Sequence, residues 1–242
     1  MTLPMGCTLD DSIFIGIPGR SFFYPCSGSD WDEPLAVFSD WFDDFHFVDL
    51  RYQFLPVSPI QSHQWMLLPT STTLKGKAVD SIRHIETETS RYREICPAWL
   101  RQVYECAKSK RTICITRRRG FGQYALDQLP DGSLGVFFHR GDSPGEAGSN
   151  TWFLANRKAS YTPLTCLFDK IKRKLAYPAL IVSDGSNTTI RELQMASKAS
   201  DLNSKKCSVG TAFECFGLHW CQVGEIKGSY RSRTIIWRVE PA

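Results

Sequence analysis

Four acidic residues in the chain each follow an apolar run of the kind that forms buried strands. They are Asp30, Asp49, Asp142 and Asp184, which follow the runs at 22–24, 45–48, 136–138 and 179–182. Continuous apolar runs of this length are typical of strands that are buried on both faces, as in a parallel sheet. Because ligands bind beyond the carboxyl ends of such strands, the sequence predicts one site lined by these four carboxylates.

The segment after the third run holds the densest set of reactive side chains. His139, Asp142 and Glu146 are candidate catalytic acids or bases. Arg140 is a candidate anion clamp, and Asn150 a further candidate substrate contact. Three glycines in the same stretch indicate a loop that closes over a ligand. An ordinary surface loop is the alternative explanation.

The first two strand ends have features that suit a nucleotide. Gly28 permits close backbone approach in a loop that leads into a predicted helix. Asp49 follows it at close to the roughly 20 residues that separate the glycine loop from the ribose-binding acid in dinucleotide sites. A carboxylate at that place accepts hydrogen bonds from ribose hydroxyls. Gly28 and Asp49 are therefore candidate cofactor contacts, although a capped turn and a strand cap explain them equally simply.

Basic residues and the last strand end provide candidate substrate contacts. Arg117 and Arg118 directly follow a predicted strand at 112–116, and their charge suits phosphate. Asp184 and Asn187 lie in a glycine-containing turn after the run at 179–182. Solvated surface is the alternative for the cations, and an Asx-type turn is the alternative for Asp184.

Composition limits the class of protein. The chain has 242 residues, 42% of them hydrophobic, and a net charge of +4, which is typical of a globular domain. No apolar run approaches the roughly 20 residues of a membrane span. The nine cysteines lack regular spacing and the N-terminus lacks a secretory signal, so the sequence favours a cytoplasmic protein. It points to a nucleotide or nucleic acid as partner and leaves the question of protein partners open.

One group of residues contains side chains that are able to bind a metal ion. Cys207, Cys215, His219 and Cys221 are all of zinc-ligand type. Their spacing contains no Cys-x-x-Cys pair, so we assign no metal ligand and interpret them as small core residues.

The predicted fold is a single α/β domain over residues 1–242, with an irregular loop-rich segment at 53–89. The residues at 22–50 predict a strand, a helix and a parallel strand joined by a right-handed crossover. Further helices are predicted at 90–107, 164–175 and 189–198, and an antiparallel hairpin joins 211–216 to 234–239. The whole predicts a mainly parallel Rossmann-like sheet with helices on both faces and a C-terminal antiparallel hairpin.

Two stretches of this pattern resemble the class I S-adenosylmethionine-dependent methyltransferase fold. Residues 22–49 give a strand, a Ser-Gly-Ser-Asp turn, a helix and a strand that ends in Asp49, and residues 211–239 resemble that fold's final antiparallel strand pair. The first loop of the family usually has an acidic residue and two or three glycines, whereas this loop has one, Gly28. The resemblance implies S-adenosylmethionine at Gly28 and Asp49, with the substrate near Asp142.

Two other functions fit the same sequence. In a base-excising DNA glycosylase, Asp30 would activate water, and aromatic residues such as Tyr24, Trp31 and Trp152 would stack on a flipped base. The basic residues of the chain, Arg117 and Arg118 among them, would then hold phosphates. A non-catalytic nucleotide or nucleic-acid sensor is the third possibility, because a fold alone does not decide function.

Overall fold

The computed structural model describes residues 9–49, 52, 65–69, 71–76, 98–120, 122–140, 167–186, 188, 190–198, 211–226 and 233–242. Within them, eleven strands follow in chain order: β1 (Ser21–Pro25), β2 (Asp44–Asp49), β3 (Trp65–Leu67), β4 (Thr73–Gly76), β5 (Ala98–Cys106), β6 (Thr112–Arg119), β7 (Leu134–His139), β8 (Leu175–Ser183), β9 (Ala212–Cys215), β10 (Leu218–Ile226) and β11 (Thr234–Pro241). The helices are α1 (Asp32–Phe38), α2 (Gly122–Asp127), α3 (Leu167–Lys174) and α4 (Arg191–Lys198), after a short 3₁₀ helix at Asp11–Phe14.

All eleven strands belong to one mixed sheet in the order β3-β5-β6-β2-β1-β7-β8-β11-β10-β9, with β4 also paired to β5. The five central strands, from β6 to β8, run parallel to one another. Every pairing outside this centre is antiparallel. The predicted mainly parallel Rossmann-like sheet with helices on both faces is therefore wrong: the sheet is mixed, and the described helices are few and only six to eight residues long.

The predicted helix at 90–107 is one source of this error. Residues 98–106 form strand β5, and residues 90–97 lie outside the described part. Leu100, Gln102 and Tyr104 are buried while Arg101 is exposed, which is the two-residue period of a strand. Trp99, Val103 and Cys106 match a helical spacing as well, so the apolar positions alone did not distinguish the two structures.

The predicted C-terminal hairpin is the second source. β9 and β11 do not pair with each other, because β10 lies between them and pairs with both. Leu218 and Trp220 of β10 are buried while His219 between them is exposed, so this strand also alternates. The result is a three-stranded antiparallel meander, which joins the parallel centre where β11 pairs with β8.

The β1–α1–β2 unit forms as predicted. β1 and β2 pair in parallel, with Phe22 beside Phe45. Pro34 lies in the first turn of α1, where its missing N–H leaves no hydrogen bond unmade. Phe38 of α1 packs on Phe22 with ring centroids 5.3 Å apart. The apolar stripe of α1 therefore covers one face of the parallel centre and fixes the loop between β1 and α1.

The opposite face of the sheet has its own apolar core. Phe23 and Phe137 point to this side, where Ala125 of α2, Phe168 of α3 and Leu193 of α4 join them. Among the described residues, no helix has the length and the apolarity needed to cross a membrane.

Candidate functional site

The carboxyl ends of β1 and β7 meet where the order of the sheet reverses. Along the chain, β1 is followed by β2 on one side, whereas β7 and then β8 lie on the other side of β1. The loops that leave β1 and β7 at such a point diverge and leave a crevice, which is the usual ligand position in open parallel sheets. Asp30 lies in the loop after β1, and Arg140 directly follows β7.

The loop after β1 folds back onto the end of β2. The backbone N–H of Ser27 donates to the carbonyl of Val48 at 3.0 Å, and the N–H of Asp30 donates to the carbonyl of Ser27 at 2.8 Å. Cys26 and Gly28 both have positive φ, at 57° and 50°. This backbone path brings the loop beside the side chain that ends β2.

That side chain is Asp49. The N–H of Gly28 donates to Asp49 Oδ2 at 2.9 Å, across 21 residues of sequence. The Gly28 φ lies in the left-handed region, where other residues pay a steric cost. Asp49 remains partly exposed. The arrangement holds one carboxylate in a fixed orientation at the strand edge.

A largely buried ion cluster lies between the ends of β1 and β7. The guanidinium of Arg140 donates from Nε to Asp30 Oδ2 at 3.1 Å, and from Nη2 to both oxygens of Asp30, at 2.7 Å and 2.6 Å. Its Nη1 donates to Glu33. The hydroxyl of Tyr24 donates to Asp30 Oδ2 at 2.8 Å. These four residues form what we call the Arg140 cluster, and the side chain of Arg140 is only 3% exposed.

The cluster keeps Arg140 and Tyr24 protonated. Burial alone would lower the pKa of Arg140, but the hydrogen bonds and the charge of Asp30, with Glu33, raise it, so the guanidinium stays protonated. Burial, and then the negative charge of Asp30, raise the pKa of Tyr24, so the phenol stays a hydrogen-bond donor. The Asp30 carboxylate is therefore the shared acceptor of a guanidinium and a hydroxyl.

A second polar group lies on the same face of the sheet, beside Asp49. The hydroxyls of Ser27 and Tyr52 are 2.5 Å apart. The guanidinium of Arg117 lies 5.7 Å from the ring centre of Trp31, and Nη2 donates to Gln102 at 2.9 Å. Burial lowers the pKa of Arg117. These contacts make an aromatic and cationic wall next to the Gly28 loop.

Strand alternation separates the other described candidates from this face. Arg118 points away from Arg117, and its Nη1 donates to Gln128 at 2.6 Å. His139 likewise points away from Arg140, and it is fully buried. The structure therefore brings Asp30, Asp49, Arg117 and Arg140 to one face and directs Arg118 and His139 to the other.

Asp184 directly follows β8 and is 7% exposed. Its Oδ1 accepts the N–H of Ser186 at 2.9 Å, which is an Asx-type turn. The remaining candidates lie outside the described residues: Asp142, Glu146, Asn150 and Asn187.

Three residues of this region were not among the predicted site residues. Glu33 is in the first turn of α1 and binds Arg140. Tyr52 follows β2 and contacts Ser27. Arg119 ends β6 beside Asp49 and is 3% exposed. Only Arg119 had a signal in the sequence, because it belongs to the basic run that supplied Arg117 and Arg118.

Within the described part of the chain, no group of three or more His, Cys, Asp or Glu side chains could hold a metal ion. Cys215 ends β9, His219 and Cys221 lie on β10, and Cys207 is outside the described residues.

Comparison of the chain with protein-family models, with curated proteins and with solved structures finds no match. A functional interpretation therefore depends on the geometry of the chain itself.

Proposed function

We propose that the protein is an enzyme that acts on a nucleotide or a nucleic acid at the carboxyl edge of its parallel strands, and that it is methyltransferase-like. In this proposal S-adenosylmethionine binds over the ends of β1 and β2, and its ribose hydroxyls donate to Asp49. The cofactor supplies an electrophilic methyl group. The observation that carries the proposal is the 2.9 Å hydrogen bond from the Gly28 N–H to the Asp49 carboxylate.

This hydrogen bond suits a ribose site for a geometric reason. A carboxylate has about four acceptor positions, so the group that accepts the Gly28 N–H can also accept a pair of ribose hydroxyls. The N–H fixes the direction in which the carboxylate presents its oxygens. The backbone at Gly28 also lacks a Cβ, so a ligand can approach it closely.

The order of the strands supports the same proposal. Counted among themselves, the five parallel strands lie in the order third, second, first, fourth, fifth, as in nucleotide-binding sheets. β11 then lies antiparallel to the fifth of them, β8. An antiparallel strand in this region agrees with the methyltransferase class that the sequence resembles.

The contacts of Asp30 do not favour the glycosylase alternative. That function needs Asp30 as a base that activates water. Here the carboxylate accepts from the guanidinium of Arg140 and from the hydroxyl of Tyr24. These donors occupy acceptor positions on both oxygens of Asp30 that a catalytic base would use to hold water. The contacts of Asp30 therefore suit a residue that joins the ends of β1 and β7 better than one that activates water.

Calorimetric titration with S-adenosylhomocysteine and S-adenosylmethionine tests the proposal. We expect the wild-type protein to bind both. Asp49→Asn should weaken binding about tenfold or more, because hydrogen bonds to a charged acceptor contribute about 1.5–3 kcal/mol. The matched control is Asp43→Asn, which precedes the same strand at its other end and is 41% exposed. It should bind like the wild type.

Two outcomes would contradict the proposal. One is the absence of binding to the wild-type protein at millimolar nucleoside. The other is equal affinity for wild type and Asp49→Asn. Binding without methyl transfer to any nucleotide, DNA or RNA would instead favour the sensor function, and loss of bases from DNA would favour the glycosylase.

A further inference from the structure

On the face of the sheet opposite α1, strands β4 and β5 carry exposed or partly exposed side chains. Leu100 and Tyr104 of β5 are buried in the core on the α1 side. The side chains between them alternate to the other face, where Arg101 is exposed and Trp99 and Val103 are partly exposed. Among the described helices, α2 is the one that approaches the neighbouring strands, and it contacts β1 and β2.

Cations and an aromatic ring lie in register on this face of β4, β5 and β6. Lys75 of β4 pairs with Trp99, and Trp99 pairs with Arg118 of β6. In the next row of the sheet, Arg101 is the central residue. We call these two rows the outer face; its members are Thr73, Lys75, Trp99, Arg101, Thr116 and Arg118.

The outer face carries cations, and all its members except the buried Thr116 are exposed or partly exposed. Lys75 is exposed, and the side chain of Arg101 is 49% exposed. Arg118 is partly exposed and is oriented by the hydrogen bond from its Nη1 to Gln128 at 2.6 Å. The carboxylate of Asp44 is the nearby counter-charge, 4.0 Å from Arg101. Lys75 and Arg101 therefore present positive charge to solvent on this face.

We infer that the outer face binds single-stranded nucleic acid. Trp99 provides a ring on which an unpaired base stacks, and Lys75, Arg101 and Arg118 lie around it to contact phosphates. Neighbouring strands are about 4.8 Å apart, so the ring and its flanking cations lie within the reach of one or two nucleotides. A duplex hides its base faces, so Trp99 selects single strands.

The inference rests on the proposed function for its choice of a nucleic acid as substrate. It adds a path to the reaction site. Arg118 is the last residue but one of β6, and the next residue, Arg119, lies beside Asp49 at the strand edge. The row that holds Trp99 and Arg118 is therefore next to the carboxyl edge of β6, so a strand bound on the outer face reaches that edge from the side opposite Asp49.

Fluorescence polarisation with labelled 12-nucleotide strands of dT and of U, and with a 12-base-pair duplex, tests this binding. Trp99→Ala should weaken single-strand binding about tenfold, as expected for the loss of one base stack. Trp99→Phe keeps an aromatic face and should stay within about threefold of the wild type. Arg101→Ala should weaken binding and lower the salt dependence by about one phosphate contact.

Arg173→Ala is the matched control, because Arg173 is exposed at the end of α3 and lies outside this face. It should bind strands like the wild type. The inference is overturned if Trp99→Ala and Arg173→Ala bind equally well, if the duplex binds more tightly than either strand, or if polyglutamate competes as well as an unlabelled strand. Should Trp99→Ala not fold, Arg101→Ala and Trp99→Phe still decide the question.

The same variants separate this inference from the proposed function. Trp99→Ala should keep the wild-type affinity for S-adenosylhomocysteine, and Asp49→Asn should keep the wild-type affinity for the strands. Strand binding that is unaffected by Trp99→Ala defeats the outer face alone. Failure to bind the nucleoside defeats the proposed cofactor site alone.

Discussion

Replacing Arg140 with methionine should cost far more stability than replacing an exposed arginine. Methionine keeps most of the length of the side chain but removes its charge and its N–H groups. Asp30 and Glu33 would then face each other across the crevice without the cation that binds both. Removing one partner of a buried ion pair leaves an uncompensated charge, which is the costly step.

The structure sets the size of the effect. Loss of one partner of a buried pair costs about 3–5 kcal/mol. The side chains of Asp30 and Glu33 are 27% and 19% exposed, so water can screen part of their repulsion. We therefore expect a loss near the lower end, about 3 kcal/mol. For a chain of this length that corresponds to a fall in Tm of roughly 6–12 °C.

Urea unfolding followed by circular dichroism measures this loss. The control is Arg20→Met, which removes an exposed pair with Asp43 in which the side chains are 59% and 41% exposed. That change should cost about 1 kcal/mol or less. The triple variant Arg140→Met, Asp30→Asn, Glu33→Gln should recover most of the loss, because no buried charge remains. Equal losses for Arg140→Met and Arg20→Met, or no recovery in the triple variant, would refute the reasoning.

Two further changes test the backbone and the electrostatics. Gly28→Ala should cost about 1–2 kcal/mol, because φ is 50° there. Gly132→Ala is the control, because Gly132 has a similar φ of 65° and open space around it, so it should lose a similar amount of stability. In titrations with S-adenosylhomocysteine, Gly28→Ala should bind more weakly than the wild type, whereas Gly132→Ala should bind like the wild type. Burial alone would raise the pKa of Asp44, but the hydrogen bond and charge of His46 lower it below its ordinary value. The ionised Asp44 therefore stabilises the fold above pH about 4, and this effect is lost as the pH falls further. In urea titrations, the difference in free energy of unfolding between wild type and Asp44→Asn should shrink from pH 5 to pH 2.5. A difference that grows over this range would contradict the lowered pKa of Asp44.

The β1–α1–β2 unit could be predicted from sequence because its signals are local. Continuous apolar runs at 22–24 and 45–48 define two strands, and Pro34 marks the first turn of the helix between them. Gly28 and Asp49 follow from the same unit, since one crossover brings the two strand ends together. The pattern of residues within this unit was therefore sufficient to predict its strands, its helix and the positions of Gly28 and Asp49.

The antiparallel flanks could not be predicted in the same way. The apolar residues of β5 fit a helical period as well as a strand period, and only pairing with β4 and β6 decides between them. The apolar residues of β10 are separated by polar and small ones, so this strand gave no continuous run. Both strands owe their structure to neighbours that are distant in sequence.

The Arg140 cluster shows the same limit in the site. Arg140 binds Asp30 and Glu33 across 110 and 107 residues. Asp30 and Arg140 had separate interpretations in the sequence, Asp30 as a catalytic group and Arg140 as an anion clamp, and Glu33 had none. Their mutual contact depends on β1 and β7 being neighbours, and no local pattern in the sequence states that pairing.

Titration of ¹⁵N-labelled protein with S-adenosylhomocysteine, followed by amide chemical shifts, tests the central claim most directly. The Gly28 N–H donates to the carboxylate that is proposed to bind the ribose, so its amide signal should report occupancy of the site. We predict that the amides of Gly28 and Asp49 shift first and most, and that Asp49→Asn greatly weakens the response. Unchanged Gly28 and Asp49 signals at millimolar ligand, or shifts confined to another part of the sheet, would contradict the account.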